Sequence, residues 1–204
     1  MKGIDTILFD LGGVLIDLDR DASVRAFERM GFPEAEQLLD PYLQSGIFLR
    51  LESGTATPEE LYEYVRQRAG EQATSEKVDA ALAEFLVDIP QYKLDMLLDL
   101  KKRYRVCMLS NTNPIMFHYA VRTWFEKDGH RLEDYFEQCF LSYELKAVKP
   151  DPSIFHKIIG QGRVDPARTL FIDDGKANVD AAAALGFQTY FAQPGEDFRG
   201  IFTE

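Results

Sequence analysis

Six polar side chains stand where short apolar runs of this sequence stop. Asp10 ends ILFD (7–10), Ser110 and Asn111 follow the run RVCML, Asp173 and Asp174 end TLFIDD (169–174), and Lys149 precedes a proline in the loop VKPDP. In an open parallel sheet, ligands bind beyond the carboxyl ends of the strands. If these runs are strands of one sheet, three carboxylates, a hydroxyl, an amide and an ammonium meet at one edge. Clustered carboxylates repel unless a cation joins them. A ligand set of oxygens, without His or Cys, suits a hard cation, and Mg²⁺ is the usual choice beside phosphate. Mg²⁺ on Asp10 and Asp174 would remove the cost of crowding these acids and cancel charge on a phosphoryl group next to Asp10. Ser110 and Asn111 are positioned to donate to its oxygens, and Lys149 supplies local positive charge. Asp10 is then the nucleophile, forming an aspartyl-phosphate that water hydrolyses.

The elements needed to converge these groups are legible. Strands are expected at 7–10, 105–110, 169–174 and 188–192, with a weaker one at 136–143. Helical patterns separate them, which indicates a parallel sheet covered on both faces. In TPEELYEYVRQRAG, Thr57 reads as N-cap, Pro58 as the first helical residue, Glu60 as its capping-box partner and Gly70 as the stop. Asn113-Pro114 and Asp151-Pro152 open two further helices. Asn178 reads as the cap of a short Ala-rich helix ended by Gly186. Residues 17–90 contain no strand signal, and that is too long for a crossover, whose whole βαβ unit takes about 30 residues. The expected architecture is an α/β fold: a Rossmann-like three-layer α/β/α parallel-sheet core (1–16 and 91–204) with an all-helical cap (17–90) inserted after strand one.

These residues resemble the haloacid dehalogenase (HAD) superfamily of hydrolases through four motifs in order. FDLGGVL is similar to the nucleophile motif with Asp10, LSNT to the second motif with Ser110, KPDPSIF to the third with Lys149, and FIDDGKANVDAA to the fourth with Asp173 and Asp174 near the metal. The resemblance implies a helical C1 cap closing over the site and a Mg²⁺-dependent phosphatase. LESGTATPEELYEYV in the cap resembles the branch that includes bacterial sugar-phosphate phosphatases. Asp173 and Asp174 divide their work: Asp174 is assigned the metal, and Asp173 holds water or Lys149. One departure stands out. Phosphatases of this superfamily mostly carry an acid–base Asp two residues after the nucleophile, where this chain has Gly12. The backbone carbonyl of Gly12 can still face the metal. The missing proton transfer typically contributes about 10²–10⁴ in rate. Three explanations are open: a good leaving group, a substitute acid such as Asp17 or a cap residue, or slow turnover with a long-lived phosphoenzyme.

Other features bound the function. The net charge of −11 argues against nucleic acid and anionic membranes as partners. Residues 17–90 hold 16 acidic and 7 basic residues, a net of −9, so the cap carries most of the acidity. An anionic substrate meets an unfavourable field there, screened beyond about 10 Å by salt, which makes Lys149 the more necessary. No signal-peptide or membrane-spanning pattern is present, and the expectation is a cytoplasmic protein acting on a small phosphorylated metabolite as a monomer or weak homodimer. Cys107 and Cys139 read as reduced, buried hydrophobes. His118, His130 and His156 read as structural, and Trp124 with Phe117, Val121 and Phe125 as core packing. Arg20, Tyr42, Phe48, Arg50, Leu51 and Glu52 are the cap residues expected to select substrate, with Ser53-Gly54 as a loop tip near the site. Two alternatives share the same residues: a haloacid dehalogenase using Asp10 on carbon, and a phosphate-binding regulatory module without turnover.

Overall fold

The computed structural model describes residues 3–161 and 164–202. Five parallel strands form one sheet: β1 (Thr6–Phe9), β2 (Arg105–Ser110), β3 (Gln138–Leu141), β4 (Thr169–Asp173) and β5 (Gln188–Phe191), in the order β3-β2-β1-β4-β5. The chain builds outward from β1 through β2 to β3, then returns to the other side of β1 for β4 and β5. The strand order therefore reverses beside β1, the point at which such sheets bind ligands. The register sets Phe9 beside Met108 on one side and Ile172 on the other. Asp10, one residue further, thus projects from the sheet's carboxyl edge between Leu109 and Asp173, with Ser110 one residue beyond on β2.

Strand side chains alternate between two apolar layers. Ile7, Phe9, Val106, Met108 and Ile172 face α6 (Gln91–Leu100), α7 (Pro114–Ala120) and the C-terminal 3₁₀ turn Phe198–Phe202. Leu8, Cys107, Leu109 and Phe171 face α10 (Pro152–Gly160) and α11 (Lys176–Ala184). Burial on both faces explains why these strands read as unbroken apolar runs. A π-helical turn, Val121–Phe125, continues α7, and the short helices α8 (Leu132–Tyr135) and α9 (Ser142–Leu145) flank β3. Trp124 and Phe125 pack in the first layer, and the Trp124 indole N–H donates to Asp88 Oδ1 at 2.9 Å.

Between β1 and α6 lie α1 (Arg20–Met30), α2 (Ala35–Leu38), α3 (Gly46–Glu52), α4 (Pro58–Ala69) and α5 (Ser75–Ala83). They enclose a separate core around Phe27, Phe32, Phe48, Leu61 and Val65. The capping box of α4 forms as the sequence requires: Glu60 N–H donates to Thr57 Oγ1, and Thr57 N–H donates to Glu60 Oε2. The entry and exit strands of this insertion pair as a neck. Asp17 and Asp19 donate to the carbonyls of Asp88 and Phe85, and Val87 donates to that of Asp17. Leu18 sits in the neck and packs against both cores. No helix among the described residues is long and apolar enough to cross a membrane.

Candidate active site

Asp10, Asp173 and Asp174 each present a carboxylate oxygen within 4.8 Å of the others. The Asp10 main-chain N–H donates to Ile172 O at 2.9 Å, which fixes the turn in which its carboxyl leaves the sheet. Its Oδ1 accepts from Leu11 N–H at 2.7 Å and from Lys149 Nζ at 2.9 Å. Lys149 is fully buried and also donates to Asp173 Oδ2 at 2.7 Å. Asp173 Oδ1 accepts from Gly175 N–H and from the Asn178 side-chain amide. Both Asp173 oxygens are therefore held by fixed donors, whereas among the described residues Asp174 has no such pair of clamps and stands half-buried over Gly13.

The site's protonation balance follows from its crowding. Burial pushes the Asp10 carboxyl well above the usual range; Lys149 opposes this, and the charges of Asp173 and Asp174 add to it. Burial and the Asp173 charge push Asp174 up to about 6. Burial alone would pull Lys149 down, but Asp10 and Asp173 outweigh it and hold its pKa above the ordinary value. One buried ammonium thus faces three clustered carboxyls, and an added divalent cation relieves the excess. An all-oxygen donor set of this kind fits Mg²⁺.

Gly13 is part of the cradle. It has φ of +71°, and a Cβ built on it would lie 2.0 Å from Asp174 Oδ2. Any side chain here must push Asp174 away as well as strain the backbone, the latter by about 1–2 kcal/mol. Gly13→Ala is expected to weaken Mg²⁺ affinity at least tenfold in calorimetric titration. An unchanged affinity would separate Asp174 from the cation site.

Each residue expected at this site from the sequence has a definite place. Asp10, Gly12, Ser110, Asn111, Lys149 and Asp174 line one cavity beneath the cap, and Asp173 lies directly behind Lys149. Ser110 is buried at the end of β2. Asn111 has a different engagement from the one expected: its Oδ1 accepts from Lys149 N–H at 2.8 Å and its Nδ2 donates to Lys149 O at 2.9 Å. Its amide clamps the lysine's main chain. Asn178 likewise is no helix cap. α11 starts two residues earlier, and Asn178 points back from its first turn to Asp173. Asn113 does cap α7, accepting from Met116 N–H.

Of the six cap residues, Tyr42 and Glu52 reach the cavity. Phe48 and Leu51 are buried in the cap's own core. Arg20 binds Leu39 O and Glu36, and Arg50 binds Glu60 and Thr55 O, both on the cap surface. Leu18, Gln44, Phe85, Leu86 and Met116 also line the cavity and carried no distinguishing signal in the sequence. Asp17, half-exposed, turns to Lys93 Nζ at 3.5 Å and lies outside this cavity. None of the three histidines lines it. Burial raises Cys107 to about 11 and Cys139 to about 12, so neither thiol is a nucleophile at neutral pH.

With this geometry in place, the comparison with known proteins is decisive for the family: residues 4–186 match the model of the haloacid dehalogenase-like hydrolases. The chain belongs to that family. It is 40% identical over 200 residues, 98% of this chain and 97% of the relative, to a D-ribitol-5-phosphate phosphatase of Bacteroides thetaiotaomicron. Among solved structures, it superposes with a TM-score of 0.92 and 42% identity on a HAD family enzyme of the same organism in complex with magnesium and inorganic phosphate, covering 98% of this chain and 100% of that one. A predicted HAD-like hydrolase of Porphyromonas gingivalis gives 0.89 at 39% identity, over 98% and 96% of the two chains.

Proposed function

We propose that this HAD-like hydrolase is a Mg²⁺-dependent phosphatase that removes the phosphoryl group of a small sugar or polyol phosphate through an aspartyl-phosphate on Asp10. The observation that carries this reading is the asymmetry of Asp10: Oδ1 is pinned by Leu11 N–H and Lys149, while among the described residues Oδ2 accepts no hydrogen bond. One oxygen is thereby held and the other left to react or to bind a cation. The relative that hydrolyses D-ribitol-5-phosphate supports a five-carbon polyol phosphate as the substrate class.

Asp10, the Gly12 carbonyl and Asp174 would hold Mg²⁺, with Asp173 bracing the cluster through Lys149 and Asn178. When bound, the cation neutralises charge on the phosphoryl oxygens and on the crowded carboxylates. Ser110 Oγ and Lys149 Nζ orient the phosphoryl group, and Asn111 fixes Lys149 by gripping its main chain. Asp10 attacks phosphorus, and water then cleaves the mixed anhydride. Attack on carbon is the less supported use of Asp10, because a cation next to it blunts its nucleophilicity toward an alkyl halide. The proposed compartment is the cytoplasm, a reading supported by two unpaired cysteines.

The test is phosphate release from a panel of pentose, hexose and polyol phosphates, with Mg²⁺ and with chelator. Turnover that needs Mg²⁺ and favours a polyol phosphate is expected. Chelator-resistant halide release from 2-haloacids, or a stoichiometric phosphoenzyme that never releases phosphate, would overturn the reading.

A further inference from the structure

Gly12 removes the family's usual acid, and its surroundings show that nothing simple replaces it from the same loop. A Cβ on Gly12 would lie 3.2 Å from Leu18 Cδ1. The neck leucine thus crowds the space an acid side chain would enter. The carboxyl groups lining the cavity are those of Asp10, Asp174 and Glu52. The first is the nucleophile and the second belongs to the cation site, which leaves Glu52.

Glu52 is the last residue of α3 and is 7 % exposed. Among the described residues no protein group donates a hydrogen bond to its carboxyl, and Glu52 lines the cavity. A fixed contact holds it there. Gly54, two residues on, has φ of +63°, and a Cβ built on it would lie 2.0 Å from Tyr143 O in α9 of the core. Only glycine permits the cap loop to press onto the core backbone so closely, and that contact seats the end of α3 above the strand edge. Position matters because phosphoryl transfer is roughly in line: the leaving oxygen departs opposite the attacking one. Asp10 attacks from the sheet, so the leaving oxygen faces the cap.

We propose that Glu52 is the acid–base catalyst that stands in for the residue missing at position 12. The proposal rests on the phosphatase reading above. In the first step Asp10 forms a bond to phosphorus, the bond from phosphorus to the ester oxygen breaks, and the Glu52 carboxyl gives its proton to that oxygen. The products are the free alcohol, the aspartyl-phosphate and a Glu52 carboxylate. In the second step water enters from the vacated side and Glu52 takes a proton from it. The oxygen bonds to phosphorus, the bond to Asp10 breaks, and phosphate leaves with Glu52 protonated again. The starting state agrees with the environment: burial, opposed by the Lys149 charge, raises Glu52 to about 8. The negative end of α3 also disfavours a charge there. Lys149 then stabilises the carboxylate that appears after the first step.

The test is rapid-mixing kinetics of Glu52→Gln and the wild type on simple aryl and alkyl phosphates that carry no sugar hydroxyls. In the wild type, phosphoenzyme formation should depend shallowly on leaving-group pKa. In Glu52→Gln it should be nearly unchanged for dinitrophenyl phosphate and slower by about 10²-fold or more for an alkyl phosphate. Release of phosphate from the phosphoenzyme should slow in the variant with every substrate, giving a burst of dinitrophenol followed by slow turnover. Gly54→Ala, which lifts the loop while keeping Glu52, should steepen the leaving-group dependence in the same sense. Equal slopes in wild type and Glu52→Gln, with a change confined to KM for polyol phosphates, would make Glu52 a substrate-recognition residue and overturn the proposal. Failure of the phosphatase reading is distinguishable, because the wild type itself would then give neither burst nor phosphate.

Discussion

Asp10→Asn is expected to abolish phosphate release, by about 10⁴-fold or more, while leaving the fold intact. A nucleophile that forms the covalent intermediate has no partial substitute, and losses of this size are typical when one is removed. The informative part is the dissociation of activity from stability. In the metal-free protein, burial and two neighbouring acids raise the Asp10 pKa well above its unfolded value. A carboxyl raised in this way contributes stability that is fully present below its unfolded pKa and is lost as pH rises through the folded one. At neutral pH its ionisation therefore opposes folding. Asparagine removes that charge, keeps the shape, and can still accept from Leu11 N–H and Lys149. The metal-free variant should melt no lower than the wild type at pH 7. Thermal denaturation with chelator checks this, and phosphate release in Mg²⁺ checks the loss. An inactive variant that melts far lower would mean that Asp10 is chiefly structural; retained activity would remove it from the chemistry.

The sheet and its catalytic edge were legible in the sequence because they depend on short-range patterns. A strand buried on both faces must be apolar throughout, so a carboxylate that ends it is conspicuous, and Asp10 and Asp173 both end such strands. The caps at Thr57, Asn113 and Asp151 are equally local. What was not legible depends on contacts distant in the chain. The inward orientation of Glu52, and not of Arg50, follows from the phase of α3 and from the seating of Gly54 on Tyr143. Leu18 occupies the space beside Gly12 only because the neck pairs residues 17–19 with 85–88. Asn111 was expected at substrate and Asn178 at a helix end; Asn111 lines the cavity and also braces Lys149, while Asn178 braces Asp173. An amide looks the same in sequence whether it meets a ligand or a backbone. Of the two partners open to Asp173 in the sequence, water or Lys149, the structure shows Lys149, and its other oxygen turns toward α11, again a matter of tertiary geometry.

Lys149→Met tests whether one buried ammonium holds this cluster together in energetic as well as catalytic terms. Lys149 has no exposed surface and bridges Asp10 and Asp173 at 2.9 and 2.7 Å. Methionine matches the stem of the lysine but brings no charge. It leaves two buried carboxyls without their shared partner, and breaking such a group by removing one member costs about 3–5 kcal/mol. For a chain of this size each kcal/mol shifts Tm by about 2–4 °C, so a fall of about 6–20 °C is expected without Mg²⁺. The sign of the pH dependence separates this cause from simple packing loss. With the ammonium gone, the charge that opposes burial at Asp10 is lost and its folded-state pKa moves still further above the unfolded one, so the added penalty appears as pH rises from the unfolded value and shrinks on acidification. The gap between variant and wild type should narrow toward pH 4. Adding Asp173→Asn to Lys149→Met should recover part of the loss, because the two sites share one interaction and are not additive. Activity should fall in both variants, since neither restores a cation beside the phosphoryl group. A stability gap that is constant with pH and untouched by the second substitution would show that Lys149 acts through its packing alone.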